Sequence, residues 1–135
     1  LRIKFLISNE IELAFKLKLD GVYLPSFNKK LSHKKFHYFK NFIIIGSAHS
    51  IKEIRIKEKQ NVQQIFLSPL FKTNKSNKFL GVNRFNNLSI FTKKPLIALG
   101  GINKNNIKLL KLTKGEGFAG ISYFKNNFKR KCPKI

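Results

Sequence analysis

The chain has 135 residues, 42% of them hydrophobic, enough for one domain with a core of its own. Its 28 Lys and Arg against 6 Asp and Glu give a formal net charge of +22. The basic residues fall in nearly every segment rather than on one helix, which reads as solvated faces and argues against a dedicated nucleic-acid module; such a field still attracts phosphorylated small molecules. Cys132 is the one cysteine of this sequence, so it holds no intrachain disulfide and no thiolate metal cluster. No apolar run reaches the length of a membrane helix and nothing resembles a signal peptide, so a cytoplasmic location is expected.

Six short apolar runs recur along the chain: Ile3–Ile7, Gly21–Leu24, Phe42–Ile45, Ile65–Leu67, Pro95–Leu99 and Phe118–Ile121. Most are continuous rather than alternating, as expected of parallel strands covered on both faces. Helical spacing lies between them. Ile11, Leu13, Ala14, Phe15 and Leu17 make one apolar face. Ile51, Ile54 and Ile56 make a second, with Ser50 as N-cap and Glu53 as its capping-box partner. Ile107, Leu109, Leu110 and Leu112 make a third, with Asn103 and Asn105 as cap candidates. Phe27 to Asn41 is polar and aromatic, with Ser32 as the cap of a short helix. Ser68 to Lys94 is the longest connection, and its Lys72–Lys78 stretch is a loop by composition. A repeat of about twenty residues, strand then helix, predicts an α/β fold.

Two strand exits stand out. Leu96–Leu99 ends at Gly100-Gly101-Ile102, and Gly117–Gly120 leads into Ile121-Ser122. Glycines let an anion approach backbone N–H groups, and a following helix points its positive end there. Paired exits of this kind match the phosphate site of a (β/α)8 barrel, built after strands seven and eight. Such a barrel typically takes about 250 residues. With six runs and a start inside the first of them, the chain is expected to be the C-terminal part of a longer protein or a shortened gene product, lacking the first two β/α units. The expected division is a barrel domain at 1–125 and a basic tail at 126–135.

The order of motifs resembles the thiamine-phosphate synthase and TenI superfamily. It comprises Phe5-Leu6-Ile7-Ser8-Asn9 through Ala14, Asp20–Leu24, Ile45-Gly46-Ser47-Ala48-His49-Ser50, Phe66-Leu67-Ser68-Pro69-Leu70-Phe71-Lys72-Thr73, Pro95–Ile102 and Gly117–Ser122. The resemblance implies strands three to eight of that barrel. It implies a magnesium-dependent transferase of thiamine biosynthesis, joining a pyrimidine pyrophosphate to a thiazole phosphate with release of pyrophosphate. The alternatives are a degenerate barrel that binds thiazole phosphate or thiamine phosphate without turnover, a TenI-like thiazole tautomerase, and, behind these, a basic nucleic-acid module.

By the same resemblance Ser47 is the catalytic position near the pyrimidine. Thr73, Gly100, Gly101, Ile121 and Ser122 are phosphate-binding positions. Lys75, or Lys72, could replace a positive charge that the family carries on the strand-six loop. The two metal-binding aspartates of the family fall at Asn9 and Asn28. The tautomerase histidine falls at Pro69, as in synthases. His49 reads as a structural hydrogen-bonding group, His33 and His37 as surface residues, and Tyr23 as a packing residue. Phe5, Phe15, Phe66, Phe71, Phe85, Phe91, Phe118 and Phe124 read as core. Phe36, Tyr38, Phe39, Phe124 and Phe128 are the aromatics that a nucleic-acid stacking surface could use. An incomplete barrel has open sheet edges, so self-association is expected.

Overall fold

The computed structural model describes residues 3–32, 35, 36 and 39–128; His33, Lys34, His37, Tyr38 and 129–135, with Cys132, lie outside the described residues, as do the side chains of 126–128. Six parallel strands form one sheet in sequence order: β1 Leu6–Ser8, β2 Gly21–Leu24, β3 Ile43–Ala48, β4 Gln64–Leu67, β5 Leu96–Leu99 and β6 Gly117–Ala119. Between and after them run the helices α1 Ile11–Lys16, α2 Ile51–Lys59, α3 Gly81–Ser89, a 3-10 helix Ile107–Leu112 and α4 Ile121–Phe128. Sequential neighbours, parallel pairing and helical crossovers are the pattern of a (β/α) barrel wall. The wall is open, with β1 and β6 at its two ends among the described residues.

Register explains which face is buried. Val22 pairs with Ile44, Gly46 with Ile65, and Leu67 with Ala98. These residues form one face, and Gly46 on it meets Lys57 of α2, so this is the helix-covered side. Val22, Leu24, Ile44, Ala48, Ile65, Leu67 and Ala98 are fully buried there, joined by Ala14, Ile54 and Phe85 from the helices. The opposite face carries Tyr23, Ile45, Phe66, Ile97 and Leu99, all half-buried. That face is the concave interior of a barrel wall.

The structure corrects several expectations. β1 is paired over Leu6–Ser8 rather than Ile3–Ile7, where Gly21, Val22 and Tyr23 of β2 lie opposite it. β3 continues to Ala48, and β6 stops at Ala119, where Gly120 turns the chain and Ile121 opens α4. The segment 107–112 is 3-10 rather than α-helical. Its lead-in explains this: Asn103 Oδ1 takes the N–H groups of Asn105 and Asn106, and Asn106 Oδ1 takes that of Asn103. Asn side chains that bond nearby backbone compete with an α-helical start. The long connection after β4 contains α3, whose Phe85 and Leu88 are buried. Phe85 is the best-buried of the phenylalanines expected in the core, whereas Phe5, Phe15 and Phe124 are exposed, and Phe36, expected at the surface, is buried. Phe36 closes a cluster with Phe15 of α1, Phe39 and Phe42, ring centroids 4.5–6.2 Å apart.

Candidate functional site

The exits of β5 and β6 face each other across a cleft of about 530 Å3. The cleft brings together Thr73, Lys75, Gly100, Gly101, Ile121 and Ser122. Lys72 and Asn103 also border it, and Asn103 is a lining residue that sequence reasoning took for a helix cap alone. Each wall has a local cause. After β4 the chain runs alongside the end of β5, with Leu70 N–H donating to Leu99 O (2.8 Å) and Phe71 N–H to Gly100 O (3.1 Å). A tight reversal then pairs Thr73 with Ser76 and sets Lys75 at its tip. That reversal carries Lys72 and Lys75 to the rim, where both are exposed.

Gly100 and Gly101 have φ of +96° and +70°, a left-handed backbone that glycine adopts without steric cost. A Cβ on Gly101 would lie 2.5 Å from the carbonyl oxygens of Phe71 and Lys72, and one on Gly100 2.8 Å from Pro69 Cβ. Glycine is therefore demanded here by the adjacent 69–72 backbone. A side chain at Gly101 would displace that loop, so a bulky substitution does not probe anion access alone.

The electrostatics of the cleft are positive. Gly101 O is held by Asn106 Nδ2 (2.8 Å) and Asn103 Nδ2 (3.3 Å). The Gly100 and Gly101 N–H groups donate to no acceptor among the described residues. Ile121 and Ser122 open α4, where the first N–H groups have no partner within the helix. Ile121 is 83% exposed. Backbone N–H groups at two glycines, a helix N-terminus and two lysines are a combination that suits an oxyanion such as phosphate.

Ser47 lies elsewhere. It is buried at 4% exposure on β3, opposite Phe66 and outside the cleft lining. His49 follows it. Its Nδ1 donates to Ser68 O (2.6 Å), and its backbone N–H donates to Glu53 Oε2 (2.6 Å). Ser50 Oγ accepts Glu53 N–H (3.4 Å), so the cap read from the sequence is formed. His49 is thus tied to β4 and to the start of α2, a structural arrangement.

The third group is at the other end of the wall. Asn9 and Asn28 meet at a smaller concavity of about 270 Å3 bordered also by Glu10, Glu12 and Lys30. Asn28 Nδ2 donates to Asn9 Oδ1 (2.7 Å), while Asn28 Oδ1 accepts Lys30 N–H (2.9 Å) and Gln60 Nε2 (3.3 Å). Both amide oxygens therefore accept hydrogen bonds within the chain. Neither residue brings charge, and magnesium favours carboxylates. The described residues contain no group of three or more His, Cys, Asp or Glu able to hold a metal. Asn9 and Asn28, bonded to each other and without charge, do not by themselves fit magnesium.

Behind this pair lies a feature the sequence did not reveal. Lys57 and Gln60 of α2 and its C-cap are fully buried. Lys57 Nζ donates to Pro25 O (2.7 Å), Asn28 O (3.0 Å) and Gln60 Oε1 (2.9 Å). Gln60 Nε2 donates to Asn28 O and Lys30 O (both 2.9 Å). Burial lowers the Lys57 pKa from 10.5 to about 8, opposed by the charge of Glu53.

Comparison with known proteins agrees with this architecture. The family described as thiamine monophosphate synthase matches residues 1–124. A thiamine-phosphate synthase of Prochlorococcus marinus is 35% identical over 117 residues, covering 79% of this chain and 32% of that protein. Another, of Syntrophomonas wolfei, is 32% identical over 125 residues, covering 90% of this chain and 60% of that protein. A solved thiamine phosphate pyrophosphorylase of Pyrococcus furiosus superposes with a TM-score of 0.70 at 24% identity, over 87% of this chain and 56% of that one. That likeness shows the fold, a fragment of a TIM-like barrel. The chain spans between about a third and two thirds of the curated relatives it matches. No helix among the described residues is long and apolar enough to cross a membrane. With the match running over nearly its whole length, the chain belongs to the thiamine monophosphate synthase family.

Proposed function

We propose that the chain serves thiamine-phosphate formation and that the β5–β6 cleft holds the phosphate of the thiazole substrate. The single observation that carries this reading is the convergence of Thr73, Lys75, Gly100, Gly101, Ile121 and Ser122 on one cleft. In the overall reaction the pyrimidine's C–O bond to pyrophosphate breaks, the thiazole nitrogen forms a C–N bond to the same carbon, and pyrophosphate departs. Such a displacement needs the two partners held close and in line, and the departing charge stabilised, more than it needs a paired acid and base. Anchoring the thiazole by its phosphate supplies the positioning. Ser47, on the concave face at the end of β3, would border the pyrimidine.

A second reading, favoured by the Asn9–Asn28 pair, is that the chain binds the thiazole phosphate without turnover. One experiment separates them. The chain is titrated with 4-methyl-5-hydroxyethylthiazole phosphate while backbone amide shifts are followed, then supplied with pyrimidine pyrophosphate and magnesium while pyrophosphate release is measured. Saturable shifts at Gly101 and Ser122 with release support the synthase. The same shifts without release support binding alone. Absence of shifts at those amides overturns the cleft assignment.

A further inference from the structure

We propose that in this chain a direct amide–amide hydrogen bond between Asn9 and Asn28 does the bridging for which the family resemblance expects a cation, and that Lys57 and Gln60 are the positioning residues that fix it.

The orientation of the pair is determined by the backbone. Lys30 N–H can only donate, so the Asn28 atom 2.9 Å from it is the oxygen. The amide nitrogen of Asn28 must then face Asn9, and the Asn9 atom 2.7 Å away must accept. Two carboxylates at these positions would set like charges face to face, which requires a cation between them or a shifted pKa. Two amides with opposed dipoles need neither. It is the Asn28 N–H, and not an oxygen, that faces Asn9 Oδ1.

Both residues are held from outside the pair. Asn9 sits just past β1 with φ of +65°, a region in which Asn is among the better-tolerated residues, and its N–H donates to Tyr23 O (2.8 Å). Asn28 is gripped through its own carbonyl by Lys57 Nζ (3.0 Å) and Gln60 Nε2 (2.9 Å), and through its side-chain oxygen by Gln60 Nε2 (3.3 Å). Lys57 and Gln60 are both fully buried, and their polar groups are spent on the 25–30 segment. A buried ammonium with three acceptors is a satisfied charge, and its removal would leave those acceptors without donors. Its positive charge, 3.0 Å from Asn28 O, further disfavours a divalent cation at the pair. The arrangement stands whether or not the β5–β6 cleft binds a thiazole phosphate.

The test is magnesium titration of the full 135-residue chain with the side-chain NH2 resonances of Asn9 and Asn28 followed by NMR, repeated with manganese for paramagnetic broadening. The expected result is no saturable shift and no selective broadening at either amide at millimolar metal. The double variant Asn9→Asp/Asn28→Asp should acquire both a saturable magnesium response and a magnesium-dependent rise in melting temperature. Gln60→Ala should move the Asn28 and Asn9 NH2 resonances together, while Gln60→Glu, which keeps the oxygen toward Lys57 and loses the donors, should move them similarly. Saturable magnesium binding at Asn9 and Asn28 of the unaltered chain overturns the proposal. So does a Gln60→Ala spectrum in which both amides stay in place. The measurements on the unaltered chain decide the matter if the double variant does not fold.

Discussion

The aliphatic stem of Lys57 lies across Gly46: a Cβ on Gly46 would fall 2.6 Å from Lys57 Cδ and 3.2 Å from Val62 Cγ1. The glycine between the apolar half of β3 and Ser47 is thus the opening through which a buried lysine reaches the rim of the wall. Gly46→Ala should destabilise the chain by about 1–3 kcal/mol, the usual cost of overpacking a filled core. Urea denaturation would read it. A variant as stable as the parent would show that the Lys57 stem can shift without loss.

Lys57 also makes stability depend on pH. Its pKa in the folded chain is about 8 and its ordinary value 10.5. Between these values the unfolded chain keeps the proton that the folded chain has released, so stability should rise as pH goes from about 8 to 10.5 and the group should cost stability below 8. Each pKa unit corresponds to about 1.4 kcal/mol, and solvent screening brings the swing to roughly 1–3 kcal/mol. Lys57→Met should flatten this slope, measured as unfolding free energy against pH. Equal slopes in parent and variant would mean that Lys57 titrates as an exposed lysine does.

The strand order was legible because both faces of a parallel barrel strand are at least half-buried, so Gly21–Leu24, Ile65–Leu67 and Leu96–Leu99 read as continuous apolar runs. The end of β3 was not legible, because Gly46-Ser47-Ala48 has the composition of a turn and only pairing with Ile65, Phe66 and Leu67 makes it a strand. Helix α3 left a weak signal, Val82, Phe85 and Leu88 at intervals of three, diluted by Gly81, Asn83, Asn86 and Asn87. The two glycine exits and the 72–78 loop were legible as composition, whereas the fold alone brings them to one cleft and adds Asn103 to its lining. Lys57 and Gln60 were not: Ile56-Lys57-Glu58-Lys59-Gln60 looks like a solvated helix end, and the acceptors that bury Lys57 and Gln60 lie about thirty residues away at Pro25, Asn28 and Lys30.

Asn106 prepares the cleft without lining it. Its Nδ2 holds Gly101 O at 2.8 Å and its Oδ1 takes Asn103 N–H at 2.8 Å. Asn106→Ala should release the Gly101 peptide, costing about 1–2 kcal/mol of stability for the two lost hydrogen bonds. It should also weaken phosphate binding several-fold, as the peptide plane is freed to turn its carbonyl inward. Thermal melts and phosphate titration would measure both. Unchanged affinity in the variant would mean that Asn103 alone fixes the peptide.

The cleft itself is best tested by removing one backbone N–H. Ile121 is the first residue of α4, its side chain is 83% exposed, and its N–H has no partner inside the helix. Proline is well tolerated at a first helical position, where its fixed φ suits the helix and the missing N–H breaks no helical bond. Ile121→Pro should therefore leave the melting temperature nearly unchanged while deleting one donor to the anion. A hydrogen bond to a charged group contributes about 1.5–3 kcal/mol, so phosphate or thiazole phosphate affinity should fall by roughly 10- to 100-fold. Lys93→Ala, an exposed lysine outside the cleft lining, controls for the general field of a chain with net charge +22. If Ile121→Pro binds as the parent does and Lys93→Ala is the weaker binder, the anion is held by the overall positive charge and the β5–β6 exit is not its site.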